Sequence, residues 1–274
     1  MIRVFPTKTN ATPDDKFVRF GEPGLFDVAE EIHISVTFSW DVDRAKFLAD
    51  QWNLIGDVKI GGVAMGDSGG EFEPGMYIKK GYIITSRGCP NRCWFCDVWK
   101  REGNIRELKI KNGYNILDSN LLACSDEHIL NVFEMLKRQK EPIEFTGGFE
   151  AARLKDWHID QLLRLNLKQV FFAYDTPGDY EPLLIASKKL KEAGIIKKTS
   201  HSARCYVLIG YKTDTFELAE KRLQQTIDLG FMPMAMLYRN KKGNYDKNWR
   251  RFQREWANPI IVGNKMNLIN QTPH

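Results

Sequence analysis

The sequence predicts an α/β protein, a (βα)6 partial TIM barrel with a short N-terminal β-α-β extension. Three observations carry this expectation. From Tyr82 onward, six short apolar runs alternate with helical patterns. Strands separated by helices lie parallel, because each crossover is right-handed and brings the next strand alongside. Three of the five cysteines sit in the loop straight after the first run, and barrel proteins keep their chemistry at such strand ends.

The elements follow in order. Residues 1 to about 30 show little regular pattern and are punctuated by Pro6, Pro13, Gly21, Pro23 and Gly24. Residues 32–38 alternate as a strand does. Residues 41–52 read as a helix with Val42, Ala45, Phe47, Leu48 and Trp52 apolar, and residues 58–60 are a short strand ending at Gly61-Gly62. These three make one β-α-β unit. The six barrel strands are then read at 82–85, 115–117, 143–145, 170–174, 204–209 and 234–238. Helices are read at 126–138, 156–165, 180–193 and 216–229, the last two closed by Gly194 and Gly230. The expected organisation is an extension over 1–76, a barrel over 77–262 and a polar tail over 263–274.

Composition bounds the class. The chain has 274 residues, 43% hydrophobic and 27% charged, ordinary values for a soluble globular protein. No apolar run approaches the roughly 20 residues of a membrane span. The first residues show no secretory signal, so a cytoplasmic protein is expected. In a reducing compartment clustered thiols bind metal more often than they form disulfides. A net charge of +5 permits an anionic substrate without demanding one.

The chemistry concentrates in Cys89-Pro90-Asn91-Arg92-Cys93-Trp94-Phe95-Cys96, with the spacing C-x3-C-x2-C. Three thiolates this close can wrap one cluster from a single loop. Iron–sulfur clusters are usually held by four cysteines, so three leave one iron open. A zinc site usually draws on two Cys-x2-Cys pairs, and no second pair is present.

This loop resembles the signature of the radical S-adenosylmethionine (SAM) superfamily, in which an aromatic residue precedes the third cysteine, here Phe95. Over most of its length the chain is similar to short radical SAM proteins of phage genomes. The resemblance implies a [4Fe-4S] cluster on Cys89, Cys93 and Cys96, whose open iron chelates the amino and carboxylate groups of SAM. It also implies reductive cleavage of SAM to a 5′-deoxyadenosyl radical that takes a hydrogen atom from substrate. An electron donor such as flavodoxin or ferredoxin is implied as a partner.

Two stretches compete for the amino group of SAM. Gly147-Gly148-Phe149-Glu150 resembles the superfamily's Gly-Gly-Glu stretch with Phe149 inserted. Asp118 and Asn120 follow the second strand, where that stretch is expected, and are favoured by strand order. Glu150 and Arg153 then face SAM or the substrate. Tyr174 and Asp175 are candidates for the ribose hydroxyls or the substrate, with a helix cap as the plainer reading of Asp175. Arg204 is a candidate carboxylate partner. Gly210 either lets adenine approach or simply ends a strand. Cys124 and Cys205 read as packing, with a hydrogen-donating thiol as the alternative. The β-α-β extension resembles a shortened cobalamin-binding domain. The D-x-H-x-x-G pattern of such domains is missing, so cobalamin is not expected.

The substrate is the least legible part. Residues 238–256 are basic and aromatic, with Arg239, Lys241, Lys242, Lys247, Arg250, Arg251 and Arg254 among Tyr245, Trp249, Phe252 and Trp256. Basic charge meets phosphate and aromatics stack on bases, which fits a nucleic acid or nucleotide. The alternative is an amphipathic helix with its aromatic face in the core. A peptide or small metabolite remains the competing substrate class.

Overall fold

The computed structural model describes residues 1–197, 201–240, 242–258, 260–264 and 266. The fold is α/β with parallel strands. It divides into two compact units, one formed by 1–119 with 241–243 and the other by 120–240 with 244–274.

The first unit opens with a four-stranded parallel sheet in the order β2-β1-β3-β4. Its strands are β1 (Ile2–Val4), β2 (Val18–Arg19), β3 (Glu31–Ser35) and β4 (Asp57–Gly61). Helix α1 (Val42–Trp52) connects β3 to β4. Ala45, Leu48 and Trp52 recur on one face of α1 and bury against Ile2, Val4, Ile32 and Ile34 of the sheet. Each such aliphatic side chain contributes roughly 1.5–3 kcal/mol when fully buried. The β-α-β unit is therefore as expected. Two strands precede it in the stretch whose sequence shows no period, because strands of three and two residues are too short to display alternation.

The same unit continues past residue 76. Arg3 donates to the carbonyls of Gly75 and Met76, at 2.7 and 2.6 Å, and Lys79 N–H donates to Ala11 O at 2.8 Å. The Lys79 bond ties the segment just beyond 76 to the extension, and the compact unit runs on through Ser119. Strands β5 (Tyr82–Ile83) and β8 (Asn115–Ile116) pair in parallel. Between them lies an antiparallel ribbon of β6 (Ser86–Arg87) and β7 (Arg106–Glu107), with helix α2 (Val98–Arg101) in its loop.

The second unit alternates strand and helix. Its strands β9 (Ile143–Phe149), β10 (Leu167–Ala173), β11 (Ala203–Ile209) and β12 (Met232–Leu237) run parallel, each beside the next. Helices α3 (Asp126–Lys137), α4 (Asp156–Leu163), α5 (Tyr180–Glu192) and α6 (Phe216–Asp228) intervene as the periodicity predicts. Caps fix two of the starts: Ser125 accepts from His128 N–H at 3.2 Å, and Thr215 from Leu218 N–H at 3.2 Å. Aromatic contacts run through the core from Phe145 to Phe149 (4.9 Å), from Phe149 to Phe172 (5.9 Å) and from Phe172 to Phe231 (5.3 Å). Strand β9 extends beyond the expected end at Phe145 to Phe149. Its register against β10 shifts between Val170 and Phe172, so Thr146, Gly147 and Gly148 bulge opposite Phe171.

Helix α7 (Lys247–Trp256) is the amphipathic alternative to the nucleic-acid reading. The polar tail is expected from 263. Residues 260–264 are helical, and Val262 and Met266 are buried. Residues 265 and 267–274 of that expectation lie outside the described residues, as does Lys241. No helix among the described residues is long and apolar enough to cross a membrane.

Candidate functional site

In the first unit, the chain leaves β5 and enters the cysteine loop through Thr85 and Ser86. Asp118, 1% exposed, fixes this entry. Its Oδ1 accepts the Thr85 N–H at 2.6 Å, and its Oδ2 accepts the hydroxyls of Thr85 and Ser86, each at 2.6 Å. A carboxylate holding three donors is a structural anchor, so Asp118 is placed to position the loop rather than to meet a ligand.

The β6–β7 ribbon closes the loop at its base. Gly88 sits at φ +85°, and a Cβ there would lie 2.2 Å from Asn104 O, so only glycine lets the two sides of the loop meet. Cys89 N–H donates to Gly103 O at 3.1 Å, and Gly88 N–H donates to Glu102 Oε2 at 2.9 Å. Further along, Cys96 N–H donates to Cys93 O at 3.2 Å, and Trp99 Nε1 donates to the same carbonyl at 3.1 Å. Cys89, Cys93 and Cys96 are half-buried, and none is in a disulfide. Burial pushes the Cys96 thiol up, and the negative charge of Cys89 adds to this. Phe95 meets Trp94 edge-on at 5.3 Å.

Among the described residues, no three His, Cys, Asp or Glu side chains converge as ligands of one metal ion. Thiolates are the donors that iron–sulfur clusters take. Three thiols on one loop, with its entry and base pinned by hydrogen bonds, fit a [4Fe-4S] centre on chemical grounds.

In the second unit, three sequence candidates come together. Asn120 Nδ2 donates to Glu150 Oε2 at 2.6 Å, and Arg153 Nε donates to the same oxygen at 2.7 Å. Gly148, at φ +97°, shapes the bulge that leads to Glu150. A Cβ at Gly148 would meet nothing within 4 Å, so backbone conformation and not space selects glycine. The bulge is held by Tyr206, whose hydroxyl donates to Thr146 O at 3.0 Å and whose ring stacks on Phe171 at 4.3 Å. Tyr206 was not singled out in the sequence, because nothing local marks it.

The remaining candidates separate. Tyr174 is 3% exposed, and its hydroxyl donates to Gln225 of α6 at 2.8 Å, so it faces the helix layer rather than a ligand. Asp175 accepts the Leu208 N–H at 3.1 Å. Burial, reinforced by Asp179, raises its carboxyl to about 7. Asp179, not Asp175, is the local cap, accepting from Thr176 N–H at 2.7 Å and from Asp175 N–H at 3.0 Å. Arg204 starts β11 opposite Phe171 and lies 5.7 Å from that ring, at the far end of the strand from Gly210. Burial lowers its pKa. Gly210, at φ +74°, is covered by Trp249: a Cβ would lie 3.1 Å from the indole, so the space the sequence offers to adenine holds a tryptophan. An Asp214–Arg222 ion pair at 2.8 Å, both side chains buried, fixes this corner, and Asp214 also accepts from Gly210 N–H. Cys205 is fully buried and its thiol is pushed well up by burial, consistent with packing.

Trp249 packs on Phe216 at 4.3 Å, and Phe252 joins them at 5.4 Å from Phe216. Trp256 is 2% exposed. Of the aromatic face of α7, Trp256 is buried in the core, while Trp249 and Phe252 are half-buried against Phe216. Tyr245 remains exposed, with Arg239 5.0 Å and Arg250 5.9 Å from its ring. No protein-family model matches the chain, and no curated protein matches it.

Proposed function

We infer that the chain is a radical SAM enzyme, and that its second unit and the β5–β8 pair are parts of a partial barrel. The observation that carries this reading is the C-x3-C-x2-C loop, closed at its base by Gly88 and anchored at its entry by Asp118. Cys89, Cys93 and Cys96 would hold a [4Fe-4S] centre. The chemistry supplied there is one-electron reductive cleavage of SAM to methionine and a 5′-deoxyadenosyl radical, which removes a hydrogen atom from substrate.

The chain's own residues then have distinct tasks. Asp118 keeps Thr85 and Ser86 fixed, and with them the direction in which the cysteines leave the strand. Glu150 receives the amino group of SAM. Among the described residues, the hydrogen bonds to its carboxylate from Asn120 and Arg153 both fall on Oε2, which leaves Oε1 for an ammonium. Asn120 and Arg153 are positioning residues for that carboxylate. A reducing protein such as flavodoxin or ferredoxin would deliver the electron.

Anaerobic reconstitution with iron and sulfide tests the centre. About four irons per chain and a broad visible absorbance are expected, and both should be lost in Cys93→Ala. Binding of one zinc ion per chain, with no sulfide-dependent absorbance, would contradict the reading.

A further inference from the structure

We propose that a cavity in the first unit, at the carboxyl ends of β1, β3 and β4, binds a small organic anion of about nucleotide size. The cavity measures about 590 Å³. Small-molecule sites usually span roughly 300–1,000 Å³. Its position is the one that topology favours. The chain leaves β1 for β2 on one side, then builds β3 and β4 on the other, so the strand order reverses between β1 and β3. In open parallel sheets, ligands bind outside the carboxyl ends of the strands at such a reversal. Phe5 follows β1, Thr37 follows β3 and Gly62 follows β4, and all three line the cavity.

The facing wall comes from the segment that carries the cysteines. Arg87, Arg101 and Glu102 line it. Arg101 Nε is buried with no hydrogen-bond partner, and so is Arg87 Nε. Arg87 reaches Glu102 at 3.4 Å, long for a hydrogen bond, while the other oxygen of Glu102 accepts from Gly88 N–H. Arg87 thus has Glu102 as its ion-pair partner, while the buried Arg101 Nε has none among the described residues. The other charged groups of the lining have partners of their own: Asp67 accepts from Gly69 N–H at 2.8 Å, and Lys59 pairs with Glu31. Buried guanidinium donors without an acceptor are costly, and a carboxylate or phosphate satisfies them in a planar fork. Ile34 and Ile84 offer an apolar surface for the body of the ligand, and Thr37 a hydroxyl.

This cavity deepens the radical SAM reading, and rests on it, only where the ligand is taken as the substrate presented beside the cysteine loop. Binding itself requires only the cavity. The shared chemistry is one oxyanion on a ring-bearing body, and a phosphate monoester or a carboxylate supplies it.

Calorimetry on the full chain tests the site, with thymidine 5′-monophosphate, thymidine and 3-indolepropionate as probes. Saturable binding is expected for the monophosphate or the carboxylate, with thymidine weaker by roughly tenfold or more. Arg101→Met keeps the stem and removes the charge, and should weaken binding by about tenfold. Gly61 lines the cavity, and a Cβ there meets nothing within 4 Å, so Gly61→Phe fills the space without displacing the fold. It should abolish binding at an unchanged unfolding temperature. A preference for the monophosphate assigns the anion as phosphate, and a preference for indolepropionate assigns it as carboxylate. Binding of neither anion, or binding that survives Arg101→Met unchanged, overturns the proposal. Cys93→Ala should bind the probes as the parent does, so a chain that binds them but cleaves no SAM refutes the radical reading alone.

Discussion

Asn120 Nδ2 stands 2.6 Å from Glu150 Oε2, and this bond joins two stretches that the sequence leaves as rivals for one ligand. Asn120 and Glu150 belong to one cluster, with Arg153 as its third member. Glu150→Gln should weaken SAM binding by about 1.5–3 kcal/mol, the usual worth of a hydrogen bond to a charged group. Equilibrium dialysis measures this, with cluster absorbance expected to stay at the parent level. An unchanged SAM affinity would remove Glu150 from the site.

Asp118 is expected to act on the fold of the loop. Asp118→Ala leaves the Thr85 N–H and two hydroxyls without their acceptor, at a cost of about 3 kcal/mol or more. Urea unfolding should show the loss, and iron retained after reconstitution should fall with it. A variant as stable as the parent would contradict the anchoring role.

His158 sets a pH dependence in the second unit. Burial drives its pKa down to about 4 from 6.5, and its Nδ1 accepts the Lys155 N–H at 3.0 Å. The unfolded chain takes up the proton more readily, so the contribution is complete above pH 6.5 and is lost as pH falls toward 4. Its size is on the order of 1–3 kcal/mol. His158→Asn keeps an acceptor near Nδ1 but does not titrate. Denaturant unfolding from pH 7 to pH 4 should therefore show the parent losing stability relative to the variant by that amount. Parallel curves would assign the neutral form of His158 no part in stability.

The legible parts of the fold were those with period or punctuation. Helices α3 to α6 and strands β10 and β11 follow the apolar rhythm closely, because each buries one face. Strands β1 and β2 escaped notice because two or three residues carry no alternation, and the β6–β7 ribbon because its side chains are polar or charged. The extension and the cysteine loop fall in one unit, and within it Arg3 and Lys79 make long-range bonds that no local pattern announces. At the site, spacing alone singles out the cysteines as candidates. The separate fates of Asp118, Tyr174 and Gly210 depend on partners far along the chain, namely Thr85, Gln225 and Trp249. Basic and aromatic residues over 238–256 suggest nucleic acid in the sequence; in the fold Asp246 caps α7 and Trp249 packs on Phe216.

The central claim is that Cys89, Cys93 and Cys96 support radical chemistry on SAM. The most direct measurement is the yield of 5′-deoxyadenosine from SAM, made by the anaerobically reconstituted chain with a strong reductant and quantified by chromatography. The account predicts 5′-deoxyadenosine and methionine in equal amounts, and neither from Cys93→Ala. A fully reconstituted chain that leaves SAM intact under these conditions would contradict it.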